Sequence, residues 1–191
     1  MFNMFGNRSR RGDEPHMLVV GMTGVRLGER LLQIGCAHGG RLAAIAKKVG
    51  LSGRAVAVVP DEMSAARARK GAAQAGVLVE IEIAPPTRVP ADDAAFDLVV
   101  VDDTAGLLVS MPANDRAGTI RETLRLLRPG GRAIVIASAP RGGLAGLLAR
   151  APAGPPFDAA PVLHAGGFKS VRNLAERDGL VFVEGIKPRQ T

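Results

Sequence analysis

The feature that most constrains the fold is a short apolar segment followed at once by residues with almost no side chain. Leu31, Leu32 and Ile34 form the kind of apolar run that a buried parallel strand requires. The run ends at Gly35, and four of the six positions from 35 to 40 are small: Gly35, Ala37, Gly39 and Gly40. A strand that ends in such a turn allows the backbone to approach a ligand closely.

The residues after this turn have the pattern of an amphipathic helix. Apolar side chains recur at helical spacing, and Gly50 is placed to end the helix; they are Leu42, Ile45, Ala46 and Val49. The first N–H groups of a helix have no partner within it, so they would face a ligand held in the turn. Together, the strand, the turn and the helix start predict a cradle for a nucleotide.

The segment from Leu31 to Gly40 resembles the first motif of class I S-adenosylmethionine (SAM)-dependent methyltransferases, which is an apolar strand, an acid and then Gly-x-Gly-x-Gly. Gly35, Ala37 and Gly39 stand at the glycine positions, and Gln33 stands at the position of the acid. The spacing Gly35-x-Ala37-x-x-Gly40 fits the dinucleotide-binding fingerprint equally well. The turn by itself therefore leaves both classes open.

Three further landmarks of the methyltransferase family follow in its order: Phe96-Asp-Leu-Val, Leu127-Arg-Pro-Gly-Gly and Gly167-Phe-Lys-Ser-Val. A dinucleotide dehydrogenase is not expected to carry the last two. The resemblance spans residues 24–187 and implies an α/β fold of the Rossmann-like class I methyltransferase type. Such a fold has a mostly parallel seven-stranded sheet with an antiparallel terminal strand, and helices on both faces.

Length and local pattern predict one domain over residues 17–191, preceded by a flexible basic arm over residues 1–16. Apolar runs predict strands at 55–59, 79–83 (an edge strand) and 98–101, and two closing strands within 166–185. Between them, residues 127–137 are expected to form a tight turn, Leu127-Arg-Pro-Gly-Gly, that leads into a fifth buried strand. Helices are predicted at 62–75, near 117–127, at 144–150 and at 157–164. Residues 17–25 are expected to pack as an apolar lead-in.

The resemblance also predicts the residues that contact the cofactor, SAM. They are Gln33, Gly35, Cys36, Ala37, His38, Gly39, Val59, Pro60 and Asp61. The family normally uses three carboxylates at strand ends, and here Gln33, Val59 and Pro85 occupy their positions. Loss of the ribose carboxylate removes about 1.5–3 kcal/mol, so cofactor binding is expected to be weakened but not abolished.

Asp61 has two readings, because it is placed either to replace the ribose carboxylate or to cap the helix that follows. Cys36 is expected to serve as a small packing residue, and His38 as either a ligand contact or an exposed turn residue. Asp102 is the candidate catalytic residue, beside the transferred methyl group. Asp102 and Asp103 would also suit a divalent cation, but no convincing third ligand accompanies them, so no metal site is predicted.

The amino-acid composition limits which binding partners and which cellular compartment are expected. The single cysteine argues against a disulfide framework, and no apolar run is long enough to span a bilayer, so a cytoplasmic protein is expected. The net charge of +7 suggests nucleic acid. Against this, the chain has no Trp or Tyr, and its cations are dispersed. A small-molecule acceptor is favoured, and a protein partner stays possible.

Two functions from different classes remain at this point. The first is a SAM-dependent methyltransferase acting on a small molecule, in which catalysis rests on proximity and orientation. The alternative is a methyltransferase-like domain that has lost catalysis and serves as a binding or regulatory partner. The missing carboxylates and the absence of a substrate-capping insertion motivate this alternative.

Overall fold

Seven strands form one sheet in the order β3-β2-β1-β4-β5-β7-β6 in the computed structural model, which describes residues 16–139 and 158–189. The strands are β1 (Arg30–Ile34), β2 (Arg54–Val59), β3 (Glu80–Ile83), β4 (Phe96–Asp103), β5 (Leu127–Ser138), β6 (Lys169–Arg177) and β7 (Leu180–Ile186). The helices are α1 (Met17–Thr23), α2 (Gly39–Val49), α3 (Glu62–Ala75), α4 (Ala113–Leu126) and α5 (Ala159–Ala165).

The sheet is parallel except at β7. Strand β1 lies between β2 and β4, and all three run in the same direction. Strand β7 pairs antiparallel with both β5 and β6. This arrangement confirms the predicted sheet. It also brings the carboxyl ends of β1, β2 and β4 to one edge, which is where open α/β sheets bind ligands.

Both faces of the central strands are buried, which explains their continuous apolar sequence. Along β4, Val99 and Val101 pack into the core on one face, whereas Leu98 and Val100 pack into the core on the other. All four side chains are fully buried. A strand covered on both sides needs apolar residues at every position rather than at alternate ones.

Most predicted elements are confirmed, with differences at their ends. Helix α4 begins at Ala113 rather than near residue 117, because its first turn is exposed and so gives no apolar periodicity. Helix α5 begins at Ala159 rather than at residue 157, since Asp158 caps it by accepting from the Ala160 N–H. The lead-in forms a helix, α1. The predicted helix at 144–150 and residues 1–15 of the arm lie outside the described residues.

Three arginines whose spacing would suit a solvated stripe on α4, Arg121, Arg125 and Arg128, have different surroundings. Arg121 is exposed. Arg125 instead bonds the carboxylates of Glu122 and Asp93. Arg128, which lies in β5, donates to Asp97. Among the described residues, no helix combines the length and the hydrophobicity needed to cross a bilayer.

Candidate active site

The turn after β1 has a conformation that only glycine adopts readily. Gly35 has φ of +80°, and its N–H donates to the Val58 carbonyl at 2.8 Å. A Cβ atom at this position would lie 2.8 Å from Leu107 Cδ2 and 3.0 Å from the Asp102 carbonyl oxygen. The backbone of Gly35 therefore lies directly against the end of β4 and against the loop that follows it.

Gln33, at the position of the family's first acid, is engaged within the same turn. Its side chain is 1% exposed, and Nε2 donates to the Gly35 carbonyl at 2.9 Å. The neutral amide thus stabilises the turn from inside, which a carboxylate could not do because it has no proton to donate.

Helix α2 starts at the end of the turn with unsatisfied backbone donors. His38 is the N-cap residue, and its side chain makes no capping bond. The N–H groups of Gly39 and Gly40 have no partner within the described residues, and the first turn contains no acidic side chain. These groups are free to donate to a polar ligand at the helix start.

Gly39 is also required by packing against α3. A Cβ atom here would lie 2.3 Å from the Arg67 carbonyl oxygen and 3.1 Å from Gly71 Cα. This glycine of the motif therefore allows two helices to approach each other closely. At Gly35 and Gly40, by contrast, the nearest atoms to an added Cβ belong to side chains, those of Leu107 and His16 respectively.

Asp102 lies at the carboxyl end of β4, 3% exposed, and binds three parts of the site. Oδ2 accepts from the Ala37 N–H at 2.9 Å. Oδ1 accepts from the Thr104 hydroxyl at 2.6 Å and from the Thr104 N–H at 3.2 Å. Arg41, in the first turn of α2, lies 3.6 Å from the same oxygen and donates to the Thr104 hydroxyl. Both carboxylate oxygens are therefore occupied by groups of the protein.

Arg41 is largely withdrawn from solvent, with 15% of its side chain exposed. Its Nε is the buried side-chain nitrogen that lacks a hydrogen-bond partner in the part of the chain that the structure describes. An unpaired buried donor costs free energy. The position of Arg41 is thus set by its contacts with Asp102 and Thr104 rather than by full hydrogen bonding.

Asp103 points to the other side of the strand and holds the following loop. It is 3% exposed, and Oδ1 accepts from the Leu108 N–H at 2.5 Å. Burial raises the pKa of Asp103 to about 6, and the negative charge of Asp102 adds to the rise, while the backbone N–H groups of Leu108 and Val109 oppose it. Through this contact the loop is fixed with Leu107 against Gly35.

Cys36 is a packing residue, as predicted. It is 3% exposed and lies in a small core with Leu42 and Val59, between β2 and the flanking helices. Burial raises the pKa of its thiol to about 11, so the thiol stays protonated. Its carbonyl oxygen accepts from Arg67 of α3 at 2.6 Å, which ties the turn to that helix.

His38 is exposed, and its ring packs edge-on against His16, with 4.9 Å between the ring centroids. Burial, together with the positive charge of His38 and Arg41, lowers the pKa of His16. His38 is thus a packing partner of His16. The start of α1 thereby covers part of the turn.

At the end of β2, the predicted cofactor residues are in contrasting environments. Val59 is fully buried and faces the core. Pro60 is exposed. The Asp61 carboxylate accepts from the Ser64 N–H at 2.7 Å, so Asp61 is the N-cap of α3. Pro85, at the third acid position, is exposed. The capping reading of Asp61 is confirmed.

Sequence reasoning missed Arg41, Arg67 and Leu107. Their partners lie 31 residues or more away along the chain, at Thr104, Cys36 and Gly35. One signal was available for Arg41. A cation in the first turn of a helix opposes the helix dipole, so its presence suggests a nearby anion.

Surface grooves are also present in the described part of the chain. One, of about 590 Å³, lies at the opposite end of β2 and β3, bordered by Leu51 and Leu78. Another, of about 560 Å³, runs between α1, α2 and α3, with His16 and Gly40 at its end. We place the candidate site at the turn because the strand ends and the free helix amides meet there.

Comparison with known sequences identifies the domain type. Residues 31–131 match the family described as a methyltransferase domain. The 27-O-demethylrifamycin SV methyltransferase of Amycolatopsis mediterranei is 32% identical over 171 residues, which cover 89% of this chain and 58% of that protein. Norajmaline N-methyltransferase of Rauvolfia serpentina is 26% identical over 113 residues, 59% of this chain and 37% of that protein. The chain thus spans about half the length of the curated relatives it matches.

Solved structures share the fold. A SAM-dependent methyltransferase from Aquifex aeolicus superposes with a TM-score of 0.69 at 19% identity, over 89% of this chain and 88% of that one. The [4+2]-cyclase SpnF superposes with a TM-score of 0.65 at 19% identity, over 91% and 79% of the two chains. With the matched residues 31–131 covering more than half of the chain, the protein belongs to the methyltransferase domain family, among the class I SAM-dependent methyltransferases.

Proposed function

We propose that this protein transfers a methyl group from SAM to a small-molecule acceptor. The observation that carries the proposal is the turn at Gly35, which closes against β4 while the first amides of α2 remain without partners in the described chain. This combination provides a close backbone approach and free donors at the ligand-binding edge of the sheet.

The residues proposed to contact the cofactor fit it in part. The turn from Gly35 to Gly39 offers backbone groups, and Pro60 offers an exposed apolar surface for the adenine. Val59 faces the core, and the Asp61 carboxylate is engaged in capping, so the ribose loses its charged acceptor. We expect affinity in the micromolar range, about ten- to a hundredfold weaker than with that carboxylate.

When bound, SAM supplies an electrophilic methyl group on a sulfonium centre. The contribution of the chain is to hold the cofactor and the acceptor in line, which is catalysis by proximity and orientation. Leu107 lies against Gly35 and presents an apolar side chain at this point. We therefore expect Leu107 to be displaced when the site fills.

The acceptor class is proposed from the relatives. The similar rifamycin and norajmaline enzymes are named for small molecules. The fold alone would not decide the chemistry, since a [4+2]-cyclase shares it. The alternative function, a domain without catalysis, predicts that the site does not bind SAM.

Calorimetric titration of the wild-type chain with SAM and with S-adenosylhomocysteine tests the proposal. Micromolar binding of both is expected. Gly35→Ala should weaken binding at least tenfold, because the residue has positive φ and a Cβ atom would meet Leu107 and Asp102. Gly76→Ala is the matched control: its φ is +64°, but nothing lies within 4 Å of the added Cβ, and it ends α3.

Circular dichroism melting would show whether Gly35→Ala folds. If it does not, Gly40→Ala replaces it, because there the added Cβ would meet the flexible side chains of His16 and His38. Absence of heat with the folded wild-type chain at millimolar ligand would exclude the proposed function and favour the domain without catalysis.

A further inference from the structure

The carboxylate of Asp102 is surrounded by donors from three elements of the site. They are the Ala37 N–H of the turn, the guanidinium of Arg41 on α2, and the hydroxyl and N–H of Thr104 after β4. Ala37 lies 65 residues away along the chain. One buried side chain thus joins the turn, the helix start and the strand end.

We infer that Asp102 is a positioning residue for methyl transfer: it clamps the glycine-rich turn and the start of α2 to the end of β4. The inference rests on the proposed function, because the turn is the part of the site that would hold SAM. It differs from the role predicted from the sequence, in which Asp102 acts beside the methyl group itself.

The occupancy of the two oxygens argues for the clamp. Oδ2 is taken by a backbone N–H, and Oδ1 by a hydroxyl and a second N–H, with Arg41 3.6 Å away. A general base needs a lone pair directed at the proton that it removes. Three of the roughly four acceptor positions of this carboxylate are taken by fixed groups of the protein, which suits Asp102 to holding backbone positions.

The placement of Arg41 also supports a positioning role for Asp102. A positive charge in the first turn of α2 opposes the helix dipole, and the helix has no acidic residue there to offset it. The nearby anion is Asp102, reached across 61 positions of sequence. The pair therefore orients the helix start whose free amides border the turn.

Asp97, at the opposite end of the same strand, provides a matched control. Its carboxylate also accepts from a backbone N–H and a guanidinium, those of Arg30, at 2.8 and 3.1 Å. Its side chain is 16% exposed. Asp97→Asn therefore removes the same kind of interaction from the same strand, far from the turn.

Amide hydrogen exchange tests the clamp without any ligand. In Asp102→Asn, exchange of the Ala37 N–H is expected to be at least about tenfold faster than in the wild-type chain, and faster still in Asp102→Ala. Asp97→Asn should leave the Ala37 rate unchanged. Equal Ala37 exchange in the wild-type chain and Asp102→Ala would overturn the clamp.

Titration with S-adenosylhomocysteine and SAM tests the positioning role. Asp102→Asn should weaken both ligands about tenfold, and Asp102→Ala should weaken them further, because asparagine keeps an acceptor for the Ala37 N–H. Asp97→Asn should bind as the wild-type chain does, even if it is less stable.

Unchanged affinity in a folded Asp102→Ala would overturn the inference while leaving the proposed function intact. No binding by the wild-type chain would remove the proposed function and the positioning role together, whereas the exchange rates would still report on the clamp.

Discussion

Two adjacent carboxylates at the end of β4 have very different surroundings. Asp102 has a guanidinium, a hydroxyl and backbone N–H groups around it. Asp103 is equally buried, but it faces backbone N–H groups of its own loop and the charge of its neighbour. Burial accordingly raises the pKa of Asp103 to about 6. Its negative charge at neutral pH is a cost to the fold, whereas the contact that holds Leu107 over Gly35 needs only its Oδ1 atom as an acceptor for the Leu108 N–H.

This cost leads to a prediction for Asp103→Asn. The pKa of Asp103 is about 6 in the folded state against 3.8 for the free side chain, so the folded protein binds the extra proton. Its contribution to stability is complete below about pH 4 and is lost as pH rises through about 6. Asp103→Asn should therefore raise the free energy of unfolding by about 1–2 kcal/mol at pH 8 and by much less at pH 4.

Urea unfolding of both proteins at the two pH values measures this difference. Because asparagine keeps an oxygen to accept from the Leu108 N–H, the loop contact should survive the substitution. An equal effect at pH 4 and pH 8 would show that the change acts through packing and not through the charge of Asp103.

Helices α2 and α3 approach each other through two glycines. A Cβ atom on Gly71 would lie 2.3 Å from both the carbonyl carbon and the oxygen of Gly39. Replacing a glycine within a helix by alanine usually raises the free energy of unfolding by about 1 kcal/mol. At Gly71 we expect instead a loss of about 1–3 kcal/mol, because the added methyl group forces the two helix backbones apart.

Gly21→Ala in α1 is the control for helix propensity, since nothing lies within 4 Å of the added Cβ atom. Thermal melting should show a higher midpoint for Gly21→Ala and a lower one for Gly71→Ala. If Gly71→Ala were more stable than the wild-type chain, α3 would be able to move away from Gly39 without cost. The glycine at position 39 would then not be needed for the packing of α2 against α3.

The amino-acid sequence predicts the individual helices and strands more clearly than it predicts the contacts between them. Apolar runs and capping residues suffice to place β4 and α3, because burial on both faces of a strand and the Asp61 cap are local consequences of sequence. The start of α4 was missed because its first turn is exposed. The Asp102–Ala37 bond and the packing of Leu107 on Gly35 join distant positions. Such contacts follow from the order of strands and carry no local pattern.

At the scale of the whole molecule, the excess of positive charge is distributed rather than concentrated. The net charge is +7. Many arginines nevertheless lie within 4.0 Å of carboxylates on separate parts of the surface, including Arg54 with Glu80, Arg132 with Glu29 and Arg172 with Glu184. Strong nucleic-acid binding needs several cations aligned on phosphates, since each contact releases counterions.

We therefore predict that the chain is not retained on heparin, or on filter-bound RNA, at about 0.15 M salt. Retention at lower salt should fall only gradually as salt is added, because few simultaneous phosphate contacts give a shallow salt dependence. Salt-gradient elution measures this, with a deletion of residues 1–11, which removes Arg8, Arg10 and Arg11, as the matched variant. Retention at about 0.15 M salt that disappears with the deletion would assign nucleic-acid binding to the arm. Retention that persists would assign it to the folded domain, and either result would require reconsidering a small-molecule acceptor.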